Sequence, residues 1–303
     1  MNFKKMQILV EIAKHKNITK AANALGIKQP TVTFHMKSLE EELRLTLFKS
    51  ISGKIFLTDA GNALLHYAKR IMLLSNDATR LMEAFSIGQN RNFKIGASMV
   101  PAAFILPKIL GGFKELYPTL PISLTVMTAP SIRQMLCNYK LDIGIISTDY
   151  VDLDEIYSSK LCDDRMVLVY SPLHPLATHK EVSLDIAKDQ NFILHTSNST
   201  TRKLIDQWSE DNNISIKPYM EIGSTEVIKK ALINNIGVSI LSELSVMEEF
   251  NSNKLKFSKL PGSKLNRGIY IIYNRERYML PIIKKFINEL YEFVQNTNRF
   301  QVT

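Results

Sequence analysis

Apolar residues at Phe3, Met6, Val10 and Ala13 recur in steps of three, four and three, which predicts a helix with one buried face. Asn17 and Ile18 break the pattern, and Thr19 is placed to cap a second, two-turn helix packing through Ala21, Ala22 and Leu25. Gly26 suits the left-handed residue that ends a helix. A third helix follows, with Pro30 tolerated in its first turn and Val32, Met36, Leu39 and Leu43 forming a narrow inward stripe. Its opposite face carries Pro30, Phe34, Lys37 and Ser38, flanked by Thr31, Thr33 and His35. Small hydroxyls, an aromatic ring and a lysine can hydrogen-bond base edges and touch thymine methyls. Two short helices across a glycine turn, the second with such a face, make a helix-turn-helix. Residues 47–49 and 54–57, around Ser50, Ile51, Ser52 and Gly53, read as two short strands. Lys49 and Lys54 would tip that hairpin toward a nucleic-acid backbone.

Thr58 and Asp59 begin a longer helical pattern. Leu64, Tyr67, Ile71, Leu74, Ala78, Leu81 and Phe85 repeat every 3.5 residues over three heptads, as a coiled-coil seam requires. The stripe must be covered, either by folding back on its own chain or, the preferred reading, by a second copy. Gly88-Gln89-Asn90-Arg91-Asn92 then reads as a hinge.

Beyond it the pattern alternates between strand and helix. Strand-like runs at 93–96, 122–127 and 143–146 interleave with helical runs at 104–117 and 132–139. A second set follows: strands at 166–169, 192–194, 219–222, 238–241 and 268–273, and helices at 201–209, 225–234 and 281–294. Such alternation predicts mostly parallel sheets. Two sets imply two lobes around a cleft, with crossings near residues 161–163 and 266–267. Ligands of open α/β sheets bind beyond the carboxyl ends of strands, at helix N-termini. The strand-to-helix junctions carry Ser98, Ser131, Thr148, Thr196, Ser199, Arg202, Ser224 and Thr225 as candidate ligand contacts. Neutral donors with few carboxylates favour a small anion, a carboxylate or an inorganic oxyanion. Each hydroxyl is also a candidate helix cap, and Arg202 a candidate surface ion pair.

Composition narrows the class. The chain has 303 residues and a formal charge of +9. Residues 1–91 hold fourteen basic and seven acidic side chains, whereas residues 92–303 hold twenty-four and twenty-two. A basic excess concentrated in the helical third is the footprint of a polyanion partner. No segment approaches the ~18 uninterrupted apolar residues of a spanning helix, and the start lacks a cleavage site, so a cytoplasmic protein is expected. Cys137 and Cys162 make neither a disulfide framework nor a zinc site, and the histidines show no metal-binding spacing, so no metal or cofactor is expected.

The run NITKAANALGIKQPTVTFHMKSLEEEL, followed by LFKS and LTDAG, resembles the winged helix-turn-helix of LysR-type transcriptional regulators across nearly all of residues 1–61. The resemblance implies that Gln29, Pro30, Thr31, Thr33 and Phe34 lie at or near bases and Lys37, Lys49 and Lys54 near phosphates. Thr19 and Lys28 complete the candidate DNA-binding set. The chain departs from the family at Lys28, where a capping Ser is usual, at Phe34, where a base-reading Arg is common, and at Arg44, where Gly is usual. A weaker resemblance over the remainder implies a fold similar to periplasmic solute-binding proteins.

The expected fold is thus α+β multidomain. A winged helix-turn-helix occupies 1–58 and a linker and dimerisation helix 59–88. A two-lobed α/β effector domain occupies 92–303, with lobe 1 at 92–161 and 267–303 and lobe 2 at 162–266. The expected function is sequence-specific binding of double-stranded DNA by a homodimer or homotetramer under control of a small anionic effector. RNA polymerase is a candidate further partner. The alternatives are a thiol-redox regulator of the same family, using Cys137 or Cys162, and, from other classes, an α/β enzyme or a solute-binding protein. No GxSxG, Walker loop, GxGxxG after a strand or HExxH supports the enzyme.

Overall fold

The first helix, α1 (Phe3–His15), is capped by Asn2, which accepts the Lys5 amide, and buries two faces rather than one. Ile8 and Ile12 pack with Ala21, Ala22, Val32 and Met36, while Met6 and Leu9 pack against Ala68. The sequence stripe located this helix but not its faces: Phe3 is exposed, and Val10 and Ala13 are half-buried. A helix wedged between neighbours has a wider apolar arc than a surface helix, so a single stripe misplaces its centre.

The computed structural model describes residues 1–86, 92–149, 154–265 and 267–299, in two units, Met1–Arg91 and Asn92–Thr303. Residues 88–91 of the expected hinge, and Asn266 at an expected crossing, lie outside the described residues. In the first unit, α2 (Ile18–Leu25) is capped by Asn17, which accepts the Lys20 amide at 2.9 Å. Thr19 is therefore not the cap but a residue of the first turn, because an equally good acceptor precedes it. Gly26, at φ +64°, closes α2, and α3 (Gln29–Leu43) follows with Pro30 in its first turn and no side-chain cap from Lys28. Val32, Met36 and Leu39 are buried as the stripe requires.

The hairpin strands β1 (Phe48–Ile51) and β2 (Lys54–Leu57) pair Ile51 with Lys54, leaving Ser52 and Gly53 as a two-residue turn with both φ positive. The turn is shorter than the sequence implied, because paired positive φ values match the twist of the strands. Glu40 of α3 accepts the amides of Leu47 at 2.7 Å and Phe48 at 3.0 Å, anchoring the hairpin base. Thr58 donates to the Thr46 carbonyl and accepts from the Gly61 amide, starting α4 (Asp59–Ser86). A Cβ on Gly61 would lie 2.3 Å from the Leu47 carbonyl oxygen, so this approach requires glycine.

The second unit begins with β3 (Phe93–Ala97), α5 (Met99–Phe104), α6 (Leu106–Leu116), β4 (Ile122–Val126), α7 (Ala129–Cys137), β5 (Ile143–Thr148) and β6 (Ile156–Asp163). It continues through β7 (Met166–Tyr170), α8 (Leu184–Lys188), β8 (Phe192–Leu194), α9 (Thr200–Asp211), β9 (Pro218–Glu221) and α10 (Thr225–Ile233). The last elements are β10 (Ser239–Ser242), α11 (Met247–Asn251), β11 (Lys256–Lys259), β12 (Gly268–Asn274) and α12 (Pro281–Arg299). One lobe holds the sheet β4-β3-β5-β12-β6, and the other holds β10-β7-β11 and the pair β8-β9.

The sheets are less parallel than the alternation predicted. Among the described strands β3 pairs in parallel with β4 and β5, and β8 with β9, with a further parallel bridge from Phe192 to Val238; β12 runs against β5 and β6, and β7 against β10 and β11. The chain leaves the first lobe along β6 and returns along β12, so those neighbours must be antiparallel. The changeover expected after residue 161 falls inside β6, which stays paired through Asp163. Asp164 and Arg165 alone join β6 to β7, and the Asp164 amide donates to the Arg267 carbonyl, tying the two crossings together.

Candidate nucleic-acid interface and inter-lobe cavity

The outward face of α3 is assembled by what its inward face buries. With Val32 and Met36 in the core, Lys28, Gln29, Pro30, Thr31, Phe34 and Lys37 are exposed and Thr33 is half-buried. Thr19 of α2 donates from its hydroxyl to Gln29 Oε1 at 3.2 Å, and the Thr33 hydroxyl donates to the Gln29 carbonyl at 3.3 Å. Phe34 is 65% exposed, with its ring set edge-on to His35. Lys54 stands exposed beside the two-residue turn, whereas Lys49, also exposed, lies within β1 opposite Phe56, nearer the hairpin base than the sequence implied. The α3 face carries exposed Lys28 and Lys37 and the hairpin Lys49 and Lys54, a chemistry suited to phosphates, with Gln29, Pro30, Thr31 and Phe34 between the α3 lysines.

Along α4, Leu64 packs with the chain's own Met6, Leu9 and Ala68, so it lies inward rather than on the open seam. Tyr67 (63% exposed), Ile71, Leu74, Ala78 and Phe85 (59%) are uncovered, and Leu81 is half-buried.

Between the lobes lies a cavity of about 510 Å³. Ser98, Ser199, Ser224 and Thr225 line it, as their junction positions suggested. Ser131, Thr148, Thr196 and Arg202 do not. The Ser131 hydroxyl is engaged with Thr128, Thr148 with Asp149, and Thr196 with Asn198. The Arg202 guanidinium is held by Asp206 at 2.8 Å and Glu221 at 2.7 Å, the ion-pair role that was its alternative.

Sequence reasoning missed the cavity's most telling groups. Ser147, 4% exposed at the end of β5, donates its amide to Ser98 Oγ, while its own hydroxyl has no hydrogen-bond partner among the described residues. Arg267, 6% exposed, places Nε 2.7 Å from the buried Asp164 carboxylate, which also accepts from Ser242, and has only the Met166 sulfur near Nη1. His195 lies beside it, and burial, with Arg267 adding repulsion, holds its imidazole below the ordinary value. Met99, Val100, Phe104, Val126 and Met127 supply an apolar wall. At the rim, Glu226 pairs with Lys229, which also pairs with Glu249 and lies over the Phe104 ring from the other lobe. Ser147 and His195 both sat within marked junctions, but only the crossing geometry reveals Arg267.

Residues 3–62 match the family model "Bacterial regulatory helix-turn-helix protein, lysR family", and residues 87–295 match "LysR substrate binding domain". The chain is 30% identical to a probable RuBisCO transcriptional regulator of Cyanidium caldarium, over 96% of this chain and 93% of that one. It is 29% identical to the HTH-type transcriptional activator CmpR of Synechocystis sp., over 94% of this chain and 93% of that one. Among solved structures, full-length CbnR complexed with its target DNA superposes with a TM-score of 0.58 at 20% identity, covering 96% and 99% of the two chains.

The lowered His195 pKa fixes a pH dependence. The unfolded state takes up this proton more readily, so stability present above about pH 6.5 is lost as pH falls through the depressed folded value. Thermal unfolding of His195→Gln should show a flatter decline than the parent below pH 6.5, with little difference at pH 8.

Proposed function

The chain belongs to the LysR family of DNA-binding transcriptional regulators, and from that premise we propose how it works. Two copies pair along α4, set two α3 helices against the half-sites of an operator, and respond to a small organic acid held between the lobes. The protein is a regulator rather than an enzyme. Among the described residues no helix is long and apolar enough to cross a membrane, and a DNA-bound regulator works in the cytoplasm, where the DNA is.

The uncovered stripe from Tyr67 to Phe85 supports pairing. Each of these side chains gains roughly 1.5–3 kcal/mol on full burial, and a two-fold pair presents two reading helices to a two-fold operator. A tetramer, which the family resemblance favours, would be a pair of such dimers.

The observation that carries the effector reading is the Ser147 hydroxyl, without a hydrogen-bond partner among the described residues, lining the same cavity as the buried Arg267. A buried polar group left without a partner costs about 1–3 kcal/mol, which a ligand oxygen would recover. The first turns of α9 and α10 add donors of the same sense. The lining cation Arg267 is already compensated by Asp164, Lys229 behind the lining Glu226 is paired with Glu226 and Glu249, and His195 is held toward its neutral form. This charge balance favours one negative charge over two. The wall of Met99, Phe104 and Met127 favours a carboxylate on an apolar body over an inorganic oxyanion, which would leave that wall against water. Ligand-driven closure would then bias the paired assembly between two states, limited by the ligand's differential affinity for them.

The thiol-redox alternative is weaker. Burial first, then Asp164 and Asp163, push the Cys162 thiol up to about 11, which suppresses the reactive thiolate.

Two experiments test this reading. Ile71→Glu with Leu74→Glu should halve the assembly mass in sedimentation and weaken operator binding by at least tenfold; unchanged mass would reject the pairing. In thermal-shift screens of small monocarboxylates, a ligand at 100 times its dissociation constant stabilises by about 2.7 kcal/mol. Ser147→Ala should lose most of that shift while leaving the unliganded melting temperature unchanged or slightly raised.

A further inference from the structure

Granting that α3 is the helix that enters the major groove, we propose that it reads sequence chiefly through the 5-methyl group of thymine, and that Phe34 makes that contact. α3 has few hydrogen-bonding groups left to offer a base. Guanine is read by arginine or lysine and adenine by asparagine or glutamine, as bidentate donors and acceptors. Residues 29–43 contain no arginine and no asparagine. Their one glutamine, Gln29, accepts at Oε1 from Thr19, which ties its carboxamide back toward α2 and leaves only its Nε2 donors and one lone pair to offer. The Thr33 hydroxyl proton is spent on the Gln29 carbonyl.

What stands at the centre of the face is apolar. Phe34 lies two residues from the buried Val32 and two from the buried Met36, on the side of the helix directed away from the core. It is 65% exposed, and its ring is braced edge-on against His35, with centroids 5.5 Å apart and planes inclined by 67°. A ring already held by a neighbour loses less freedom when it meets a partner. Pro30 and Thr31, one turn toward the N-terminus, extend the exposed face without adding an amide or a guanidinium. Lys37 lies one turn beyond Phe34, placed for a phosphate rather than a base, since recognition helices address bases with their N-terminal residues. In the major groove the feature an apolar edge can distinguish is the thymine methyl, which no other base carries.

The test removes that methyl and nothing else. An operator is selected from random duplex DNA with the full-length protein, and each thymine of a half-site is then replaced in turn by deoxyuridine. We expect at least one position per half-site where the loss weakens binding about fourfold, the value of burying one methyl-sized group. Replacing cytosine with 5-methylcytosine at that position in a C-containing probe should restore the same factor. Phe34→Ala, at an exposed site that leaves the core intact, should bind thymine and deoxyuridine probes equally, and Phe34→Leu should keep part of the discrimination. Guanine selected at the sensitive position, indifference to deoxyuridine at every position, or unchanged discrimination in Phe34→Ala would each overturn the proposal while leaving α3 on the DNA. Failure to select any sequence would overturn the placement of α3 itself, and the proposal with it.

Discussion

An apolar stripe on a helix cannot be left in water, and in this chain the stripe of α4 is left so. Tyr67, Ile71, Leu74 and Phe85 stay uncovered although the same helix buries Ala68 and Leu64 against α1. One side of α4 thus completes the core of the helix-turn-helix unit, and the other waits for a partner. A helix that belongs to the reading head and to the pairing seam together transmits the position of one to the other. On the proposed pairing of two copies along this stripe, two identical heads would meet a two-fold operator and the regulatory unit would be present twice.

Within the regulatory unit the decisive interaction is the buried pair of Asp164 and Arg267 at the two chain crossings. Buried ion pairs are weak sources of stability but costly to break singly. Here the pair fixes where the chain changes lobes and turns a guanidinium toward the cavity. Its neutralised charge, the depressed His195 and the Ser147 hydroxyl define a polar end with little net charge, opposite an apolar wall. On our proposal such a site would take an amphipathic ligand, and because residues of both lobes line it, occupancy would be linked to closure.

Much of this was legible in the sequence, for identifiable reasons. The helix-turn-helix announces itself through Gly26, Pro30 and the Val32–Met36–Leu39 stripe, all local signals, and the outward face follows by geometry. The α4 seam is legible because a heptad repeat is periodic. The elements that escaped were β6, β11 and the short helices α5, α8 and α11. The two strands, IYSSKLCD and KFSK, lie at sheet edges and are polar enough to hide any alternation, and α8 is a five-residue helix. Half of the marked junction residues line the cavity, because a hydroxyl at a strand end serves a ligand or its own turn equally well. Thr196 with Asn198, and Ser131 with Thr128, are of the second kind. Arg267 was invisible as a ligand group because its neighbours His195 and Asp164 are brought to it only by the fold. Arg202, the arginine that sequence made conspicuous, is taken by Asp206 and Glu221.

The central claim is that two copies joined along α4 read two half-sites as one rigid unit, and operator spacing tests it most directly. Binding of the full-length protein would be measured on a selected operator with 5 or 10 base pairs inserted between the half-sites, beside an isolated half-site. The account predicts that five base pairs, half a helical turn, abolish specific binding, that ten restore a substantial part of it, and that the isolated half-site binds far more weakly. Equal affinity for all four duplexes would contradict it.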